Sequence, residues 1–158
     1  MPRPLQRVVV LGAGTMGARL AAHCANHGLQ TTLLDQTAAL ATQGLQAAAR
    51  GRPAAFFLPQ YVSRVRTGDW SQGAAALRTA DWVVEAIVED LQAKQQLLRQ
   101  IAPSLGPETL LTSNTSGLPL RSVGAELPLS LRGRWMGTHF FNPPRYMRLL
   151  EVLGGPKT

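Results

Sequence analysis

Residues 7–28 read "RVVVLGAGTMGARLAAHCANHG", and this stretch decides the fold. The run 7–12 is rich in β-branched valine and ends at a glycine, which is typical of a buried strand. Residues 15–28 then place apolar side chains at helical spacing, and Gly28 stands where a helix would end. The stretch therefore predicts a strand, a tight turn and a helix.

The turn carries the pattern G-x-G-x-x-G, formed by Gly12, Gly14 and Gly17. The first glycine permits the tight turn, the second lets the backbone approach a pyrophosphate, and the third lets the helix pack closely on the strand. The phosphates would lie at the helix N-terminus beside Thr15 and Met16, where free N–H groups and the helix dipole favour an anion. The alternative is a glycine turn that binds no ligand.

The next strand-like run, "QTTLLD" at 30–35, ends in an acid. Asp35 follows Gly17 by 18 residues, the spacing at which a dinucleotide site places the carboxylate that accepts hydrogen bonds from the adenosine ribose. Its charge would repel a 2′-phosphate. The cofactor predicted by this pair of motifs is therefore NAD rather than NADP.

Strand-like and helical patterns alternate along the rest of the chain. Further strands are predicted at 82–88, 109–114, 135–141 and 148–153, and further helices at 37–50, 90–102 and near 119–126. The stretch 51–69 contains two prolines and predicts two short helical pieces. The alternation predicts an α/β fold over one domain, 1–158: a Rossmann-type, doubly wound, mostly parallel sheet with helices on both faces.

Composition limits the classes of protein that remain. The chain has 158 residues, 45% of them hydrophobic, which is enough for one domain with a real core. No apolar run approaches the roughly 18 residues of a membrane span, and too few residues precede the first strand for a targeting peptide. We therefore expect a cytoplasmic protein without a membrane partner. Cys24 is the only cysteine, and its apolar helical setting predicts a buried thiol.

The positive charge does not predict a nucleic-acid partner. The net charge is +7, but 14 of the 16 basic residues are arginines spread along the chain, outside any aromatic-rich stripe. We expect no nucleic-acid binding, although the field would suit a nucleotide or a coenzyme A thioester. His23 and His27 lie four apart on the first helix, but no third ligand has a suitable spacing, so helix-surface histidines are expected and no metal.

Three later motifs narrow the family: "DWVVEAIVEDLQAK" (81–94), "SNTSGLPL" (113–120) and "GTHFFNPP" (137–144) followed by "LLEV" (149–152). In this order they resemble the NAD-binding domain of the L-3-hydroxyacyl-CoA dehydrogenases of fatty-acid β-oxidation, along almost the whole chain. The second and third motifs are most similar to dehydrogenase segments of multifunctional β-oxidation proteins, which also carry an enoyl-CoA hydratase domain.

The resemblance assigns the central chemistry to His139 and Glu151. His139 would take the proton of the C3 hydroxyl while a hydride moves from C3 to nicotinamide C4, and Glu151 would hold the other ring nitrogen. Histidine suits this task because its pKa lies near operating pH, and a carboxylate partner fixes its tautomer. The alternative is a core residue, the more common use of a lone histidine in an apolar run.

The resemblance also places four further residues in the site. Ser116 and Asn142 are expected near the reacting oxygen, a catalytic water or the nicotinamide, and Glu89 and Lys94 on the ribose and nicotinamide side of the cofactor. Ser116 is alternatively a turn or helix-cap serine. Glu85 lies inside a strand pattern, where it can simply satisfy backbone donors, and is left outside the catalytic set.

Two departures from the family affect the expected function. Single-function members contact the CoA phosphates through a lysine-rich helical pair, whereas this stretch has no lysine and offers the arginines at 50, 52, 64 and 66. The family also continues into a helical domain that closes the cleft, supplies a catalytic asparagine and forms the dimer. We therefore expect a domain that binds NAD, with an acyl-CoA substrate and a homo-oligomer in the full-length protein.

Two other functions are compatible with the same motifs. One is a non-catalytic dinucleotide-binding or scaffold domain, in which His139 and Glu151 do no chemistry. The other is a Rossmann dehydrogenase that acts on a different hydroxy acid.

Overall fold

The described residues fold around one mixed sheet of seven strands. The computed structural model describes residues 4–155 and 157–158. In chain order the strands are β1 (Arg7–Leu11), β2 (Gln30–Asp35), β3 (Val65–Asp69), β4 (Trp82–Glu85), β5 (Leu110–Ser113), β6 (Trp135–Phe140) and β7 (Leu150–Gly154). They lie side by side as β3-β2-β1-β4-β5-β6-β7. The pairs from β3 to β6 are parallel, and β7 runs antiparallel to β6.

Helices cover both faces of this sheet. They are α1 (Thr15–Asn26), α2 (Ala38–Arg50), α3 (Ala74–Thr79), α4 (Leu91–Ile101), α5 (Leu120–Val123) and α6 (Leu129–Arg132). Short 3₁₀ helices span Pro59–Arg64 and Ala102–Ser104. Val8 and Val10 pack with α1 and α2 in one apolar layer, whereas Val9 and Leu11 pack with α3 to α6 in the other. The doubly wound α/β fold predicted from the sequence is confirmed.

The order of the strands determines where a ligand binds. The chain moves outward from β1 through β2 to β3, then returns to place β4 on the other side of β1. The reversal leaves a crevice at the carboxyl ends of β1 and β4, where open α/β sheets bind their ligands. The glycine-rich turn and the segment after β4 both lie at this edge.

Several predicted elements were wrong in detail. In 51–69 the structure has one 3₁₀ helix and the edge strand β3, not two helical pieces. β3 reads "VRTGD", in which Val65 is its one buried residue, so hydrogen bonds to β2 rather than an apolar pattern make it a strand. The strand predicted at 82–88 ends at Glu85, and the helix near 119–126 is a single turn. The short helices α3 and α6 were missed.

Cys24 and the pair His23 and His27 lie outside the crevice and concern the expectations of a buried thiol and of no metal site. Burial raises the pKa of the Cys24 thiol to about 12, in line with the predicted buried cysteine. The rings of His23 and His27 meet in a T-shaped contact, and burial together with His27 lowers the pKa of His23. In the described part of the chain, no three histidine, cysteine, aspartate or glutamate side chains form a group that could hold a metal. No described helix is long and apolar enough to cross a membrane.

Candidate active site

The glycine-rich turn has the geometry that its sequence predicts. Gly12 has a φ of +100°, and a Cβ atom there would lie 2.7 Å from the carbonyl oxygen of Ala86. A Cβ on Gly17 would collide with the carbonyl oxygen of Gly12, so α1 packs directly on the turn. Gly14 precedes α1 and gives it no side-chain cap, which leaves the first amide groups, including those of Thr15 and Met16, free of a side-chain acceptor. This cradle fits a pyrophosphate.

Asp35 lies at the carboxyl end of β2, beside the turn. Its Oδ2 accepts a 2.6 Å hydrogen bond from the N–H of Ala13, and its Oδ1 accepts one of 2.7 Å from the N–H of Gln36. A carboxylate has about four lone-pair positions, so both oxygens can also accept from ribose hydroxyls. Asp35 therefore both braces the glycine-rich turn and lines the adjoining cleft.

The cleft beside Asp35 has a volume of about 430 Å³. Residues from the glycine-rich turn, the ends of β2 and β4, and one face of α4 line it: Gly12, Gly14, Asp35, Gln36, Trp70, Ala86, Ile87, Val88, Ala93, Gln96, Leu97 and Gln100. The α4 residues and Trp70 were not predicted. Ala93, Gln96, Leu97 and Gln100 recur at helical spacing, a signal present in the sequence, whereas nothing local marks Trp70.

Glu89 organises the segment that follows β5. Its Oε1 accepts hydrogen bonds from the Thr115 hydroxyl and from the N–H groups of Ser116 and Gly117, the latter two at 3.0 Å. Partial burial opposes ionisation, but these donors and the Lys94 charge outweigh it and lower the pKa of Glu89 to about 2. The carboxylate therefore stays charged and holds the backbone that carries Ser116.

Lys94 and Glu85 form a buried ion pair beneath Glu89. The Lys94 Nζ lies 2.7 Å from Glu85 Oε1 and 3.3 Å from Glu89 Oε2, and only 1% of the Lys94 side chain is exposed. Glu85 also accepts from the Ser113 hydroxyl and the Ile87 N–H, which supports the structural reading of this acid. Direct contact between Lys94 and the cofactor stays a prediction, since here the ammonium group binds protein partners.

His139 and Glu151 form the pair expected at the end of β6. They lie directly opposite one another in the antiparallel β6–β7 ladder, and Nδ1 of His139 is 2.9 Å from Oε2 of Glu151. The His139 side chain is 19% exposed and that of Glu151 49%. The geometry favours the tautomer in which Nδ1–H donates to Glu151 and Nε2 accepts. His139 is therefore not a core histidine.

Ser116 and Asn142 lie at the same edge of the sheet, each just beyond a strand. Ser116 is exposed, and it does not cap the following helix, because α5 begins after Pro119. Asn142 is exposed one residue beyond Phe141, in the segment after β6. The structure adds Asn114, which sequence reasoning missed: its Oδ1 accepts a 2.8 Å hydrogen bond from the N–H of Phe140 and joins the ends of β5 and β6.

Comparisons with known proteins agree with this arrangement. The sequence profile of the "3-hydroxyacyl-CoA dehydrogenase, NAD binding domain" matches residues 7–158. The chain therefore belongs to the 3-hydroxyacyl-CoA dehydrogenase family, as its NAD-binding domain, and the predicted resemblance and cofactor are confirmed. The match includes residues 12–17 and 35, whose role in nucleotide binding stays a prediction.

Individual relatives are similar over nearly the whole chain. A probable 3-hydroxyacyl-CoA dehydrogenase of Deinococcus radiodurans is 36% identical over 161 residues, which are 98% of this chain and 46% of that protein. A putative fatty acid oxidation complex trifunctional enzyme of Rickettsia felis is 35% identical over 160 residues, 97% of this chain and 22% of that protein. The chain thus spans less than half the length of either relative.

A solved structure shows the same fold. The crystal structure of 3-hydroxybutyryl-CoA dehydrogenase from Escherichia coli superposes with a TM-score of 0.83 at 35% identity, over 99% of this chain and 34% of that one. The doubly wound sheet with its antiparallel last strand is therefore an arrangement that a relative also adopts.

Proposed function

We propose that this domain catalyses, in a longer polypeptide, the NAD-dependent oxidation of the C3 alcohol of a 3-hydroxyacyl-CoA to the 3-oxo thioester, as a step of fatty-acid oxidation. The 2.9 Å contact between His139 Nδ1 and Glu151 Oε2 carries this proposal. A nucleotide-binding scaffold has no need of a half-exposed carboxylate aligned with a partly exposed imidazole near the end of its sheet.

The reaction divides between the cofactor and the chain. NAD, when bound, accepts the hydride that leaves C3. His139 takes the hydroxyl proton on Nε2, and the C3 oxygen becomes a carbonyl. Glu151 holds the ring in the tautomer that leaves Nε2 free and stabilises the imidazolium that forms. Ser116 and Asn142 follow neighbouring strands at this edge, where their polar side chains can donate to the reacting oxygen or to the nicotinamide amide.

The cofactor half of the proposal is tested by calorimetric titration of the 158-residue chain with NAD and NADP. We expect saturable NAD binding and much weaker NADP binding. Asp35→Asn keeps an acceptor for the Ala13 N–H but removes the charge, so it should weaken NAD binding and reduce the preference over NADP. Asp69→Asn is the matched control, because Asp69 is paired with Asp35 in the β2–β3 register and caps its own turn.

The catalytic half is tested in a chain extended by the downstream domain of a relative. His139→Gln and Glu151→Ala should each abolish oxidation of 3-hydroxybutyryl-CoA and leave NAD affinity unchanged. The free acid, compared with the CoA thioester, separates this reading from a dehydrogenase of other hydroxy acids. Saturable NAD binding without any turnover in the extended wild-type chain would instead support a non-catalytic nucleotide-binding domain, and unchanged turnover in both variants would show that His139 and Glu151 are not the catalytic pair.

A further inference from the structure

The segment between β6 and β7 lies next to the His139–Glu151 pair. Residues 141–149 connect the two strands, and Asn142 lies near the start of this segment. Every residue of β7 is exposed, and among the described residues the strand pairs on one side only, with β6. The His139–Glu151 pair is the second from the end of that ladder at which residues 141–149 connect the two strands. The end of an exposed edge strand frays unless other contacts of the protein hold it in place.

Arg145 holds the connection to a distant loop. Its Nη1 donates to the carbonyl oxygens of Ala54, at 3.0 Å, and Phe56, at 2.6 Å. Its guanidinium carbon lies 4.9 Å from the ring centroid of Phe57. The hydroxyl of Tyr146 donates to the same Ala54 carbonyl at 3.0 Å. Two consecutive residues of the connection therefore donate hydrogen bonds to one loop, residues 54–57.

The loop of residues 54–57 is itself hydrogen-bonded to α1. The buried side chain of Asn26 donates from Nδ2 to the Ala55 carbonyl at 2.9 Å and accepts at Oδ1 from the Phe57 N–H at 2.8 Å. Ala55 and Phe56 are buried in the apolar layer under α1 and α2. Arg145 thus joins the connected end of the β6–β7 ladder to a loop that is anchored in the core.

We propose that Arg145 is a positioning residue for the His139–Glu151 pair. It keeps the end of β7 in place, and through it the carboxylate that selects the Nδ1–H tautomer of His139. This inference rests on the proposed function, because a tautomer matters only if His139 is the base. No direct contact between Arg145 and substrate or cofactor is involved.

The test is a nuclear magnetic resonance measurement on the 158-residue chain. The ¹⁵N shifts of an imidazole ring report which nitrogen carries the proton, and at about pH 9 a histidine of ordinary pKa is neutral. The chain has three histidines, so His139→Gln assigns the His139 signals. The wild-type ring should be mainly Nδ1–H. Glu151→Ala should move it toward Nε2–H, and Arg145→Ala should produce at least half of that change.

Arg134 provides the matched control. Its Nη1 also donates to two backbone carbonyls, those of Gly106 and Thr109, at 3.2 and 2.7 Å, but it stands before the first residue of β6, at the far end of that strand. Arg134→Ala should lower the melting temperature without changing the His139 tautomer. A change as large as that in Arg145→Ala would mean that general loosening, not positioning, moves the proton, and would overturn the proposal.

The remaining outcomes separate the two proposals. If Glu151→Ala changes the tautomer and a folded Arg145→Ala does not, Arg145 is merely structural and only this inference fails. If Glu151→Ala changes nothing, the pair does not control the ring and the proposed function fails with it. Should Arg145→Ala not fold, Tyr146→Phe removes one hydrogen bond from an exposed residue. It should give a smaller shift in the same direction, and no shift would overturn the proposal.

Discussion

The two sides of the site are built differently. The cofactor side lies at the ends of β1, β2 and β4, where helices cover both faces and Glu85 and Lys94 are almost fully buried. The catalytic side lies on β6 and β7, where Glu151 is half exposed and no residue of β7 is buried. The charged groups of the cofactor side are therefore paired inside the core, whereas the proposed catalytic pair lies on an exposed strand.

Breaking the buried ion pair should have the largest effect. Lys94→Met leaves Glu85 as an uncompensated charge in the core, and we expect a loss of about 3–5 kcal/mol in the free energy of unfolding. Urea denaturation measures it. The double variant Lys94→Met with Glu85→Gln removes both charges and should recover part of the loss. A single variant as stable as wild type would contradict the view that the cofactor side depends on this pair.

Crowding the glycine-rich turn should cost somewhat less. Gly12→Ala adds a Cβ at positive φ that meets the Ala86 carbonyl, so we expect a loss of about 2–4 kcal/mol and of NAD binding. Gly28→Ala is the control, because Gly28 also has positive φ, +81°, but no atom lies within 4 Å of its added Cβ. Gly28→Ala should cost about 1 kcal/mol and leave NAD affinity unchanged. Equal losses would show that backbone strain, not the collision, decides the effect.

Acid should weaken the junction between the two sides. The pKa of Glu89 falls from an ordinary 4.5 to about 2 in the folded chain, so the folded state favours the ionised carboxylate. That contribution is present above about pH 4.5 and is lost as the pH falls toward 2. Melting temperatures across this range should therefore decline less steeply for Glu89→Gln than for wild type. Parallel profiles would contradict the hydrogen bonds assigned to Glu89.

Removing the exposed pair should have the smallest effect on stability. Because Glu151 is half exposed, Glu151→Ala should change the free energy of unfolding by less than about 1 kcal/mol. Urea denaturation beside Lys94→Met gives the comparison directly. A loss of more than about 2 kcal/mol would mean that the β6–β7 edge is as integral to the fold as the core pair.

The sequence predicted the local geometry correctly where a short motif determines that geometry by itself. Gly12, Gly14 and Asp35 could be placed because turn geometry and strand ends are local, and the contact between His139 and Glu151 followed from the family motif. Lys94 lies on the same buried face of α4 as Leu97, Leu98 and Ile101. The helical spacing of these residues could have predicted that Lys94 is buried, but this prediction was not made. The hydrogen bonds from residues 115–117 to Glu89 could not be predicted from the sequence, because they depend on contact between the loops after β4 and β5.

β3 is an element that local sequence could not predict. Its residues lack an apolar pattern, and the strand exists because β2 offers free hydrogen-bonding groups at its edge. Only the tertiary context supplies that information.

The double duty of Asp35 has a consequence for redesigning nucleotide preference. Exchanging this acid for a small or basic residue would admit a 2′-phosphate, but it would also withdraw the acceptor from the Ala13 amide and slacken the turn that cradles the pyrophosphate. Engineering the chain toward NADP should therefore start from asparagine at position 35, with a cation introduced at the neighbouring Gln36, so that recognition changes while the loop keeps its brace.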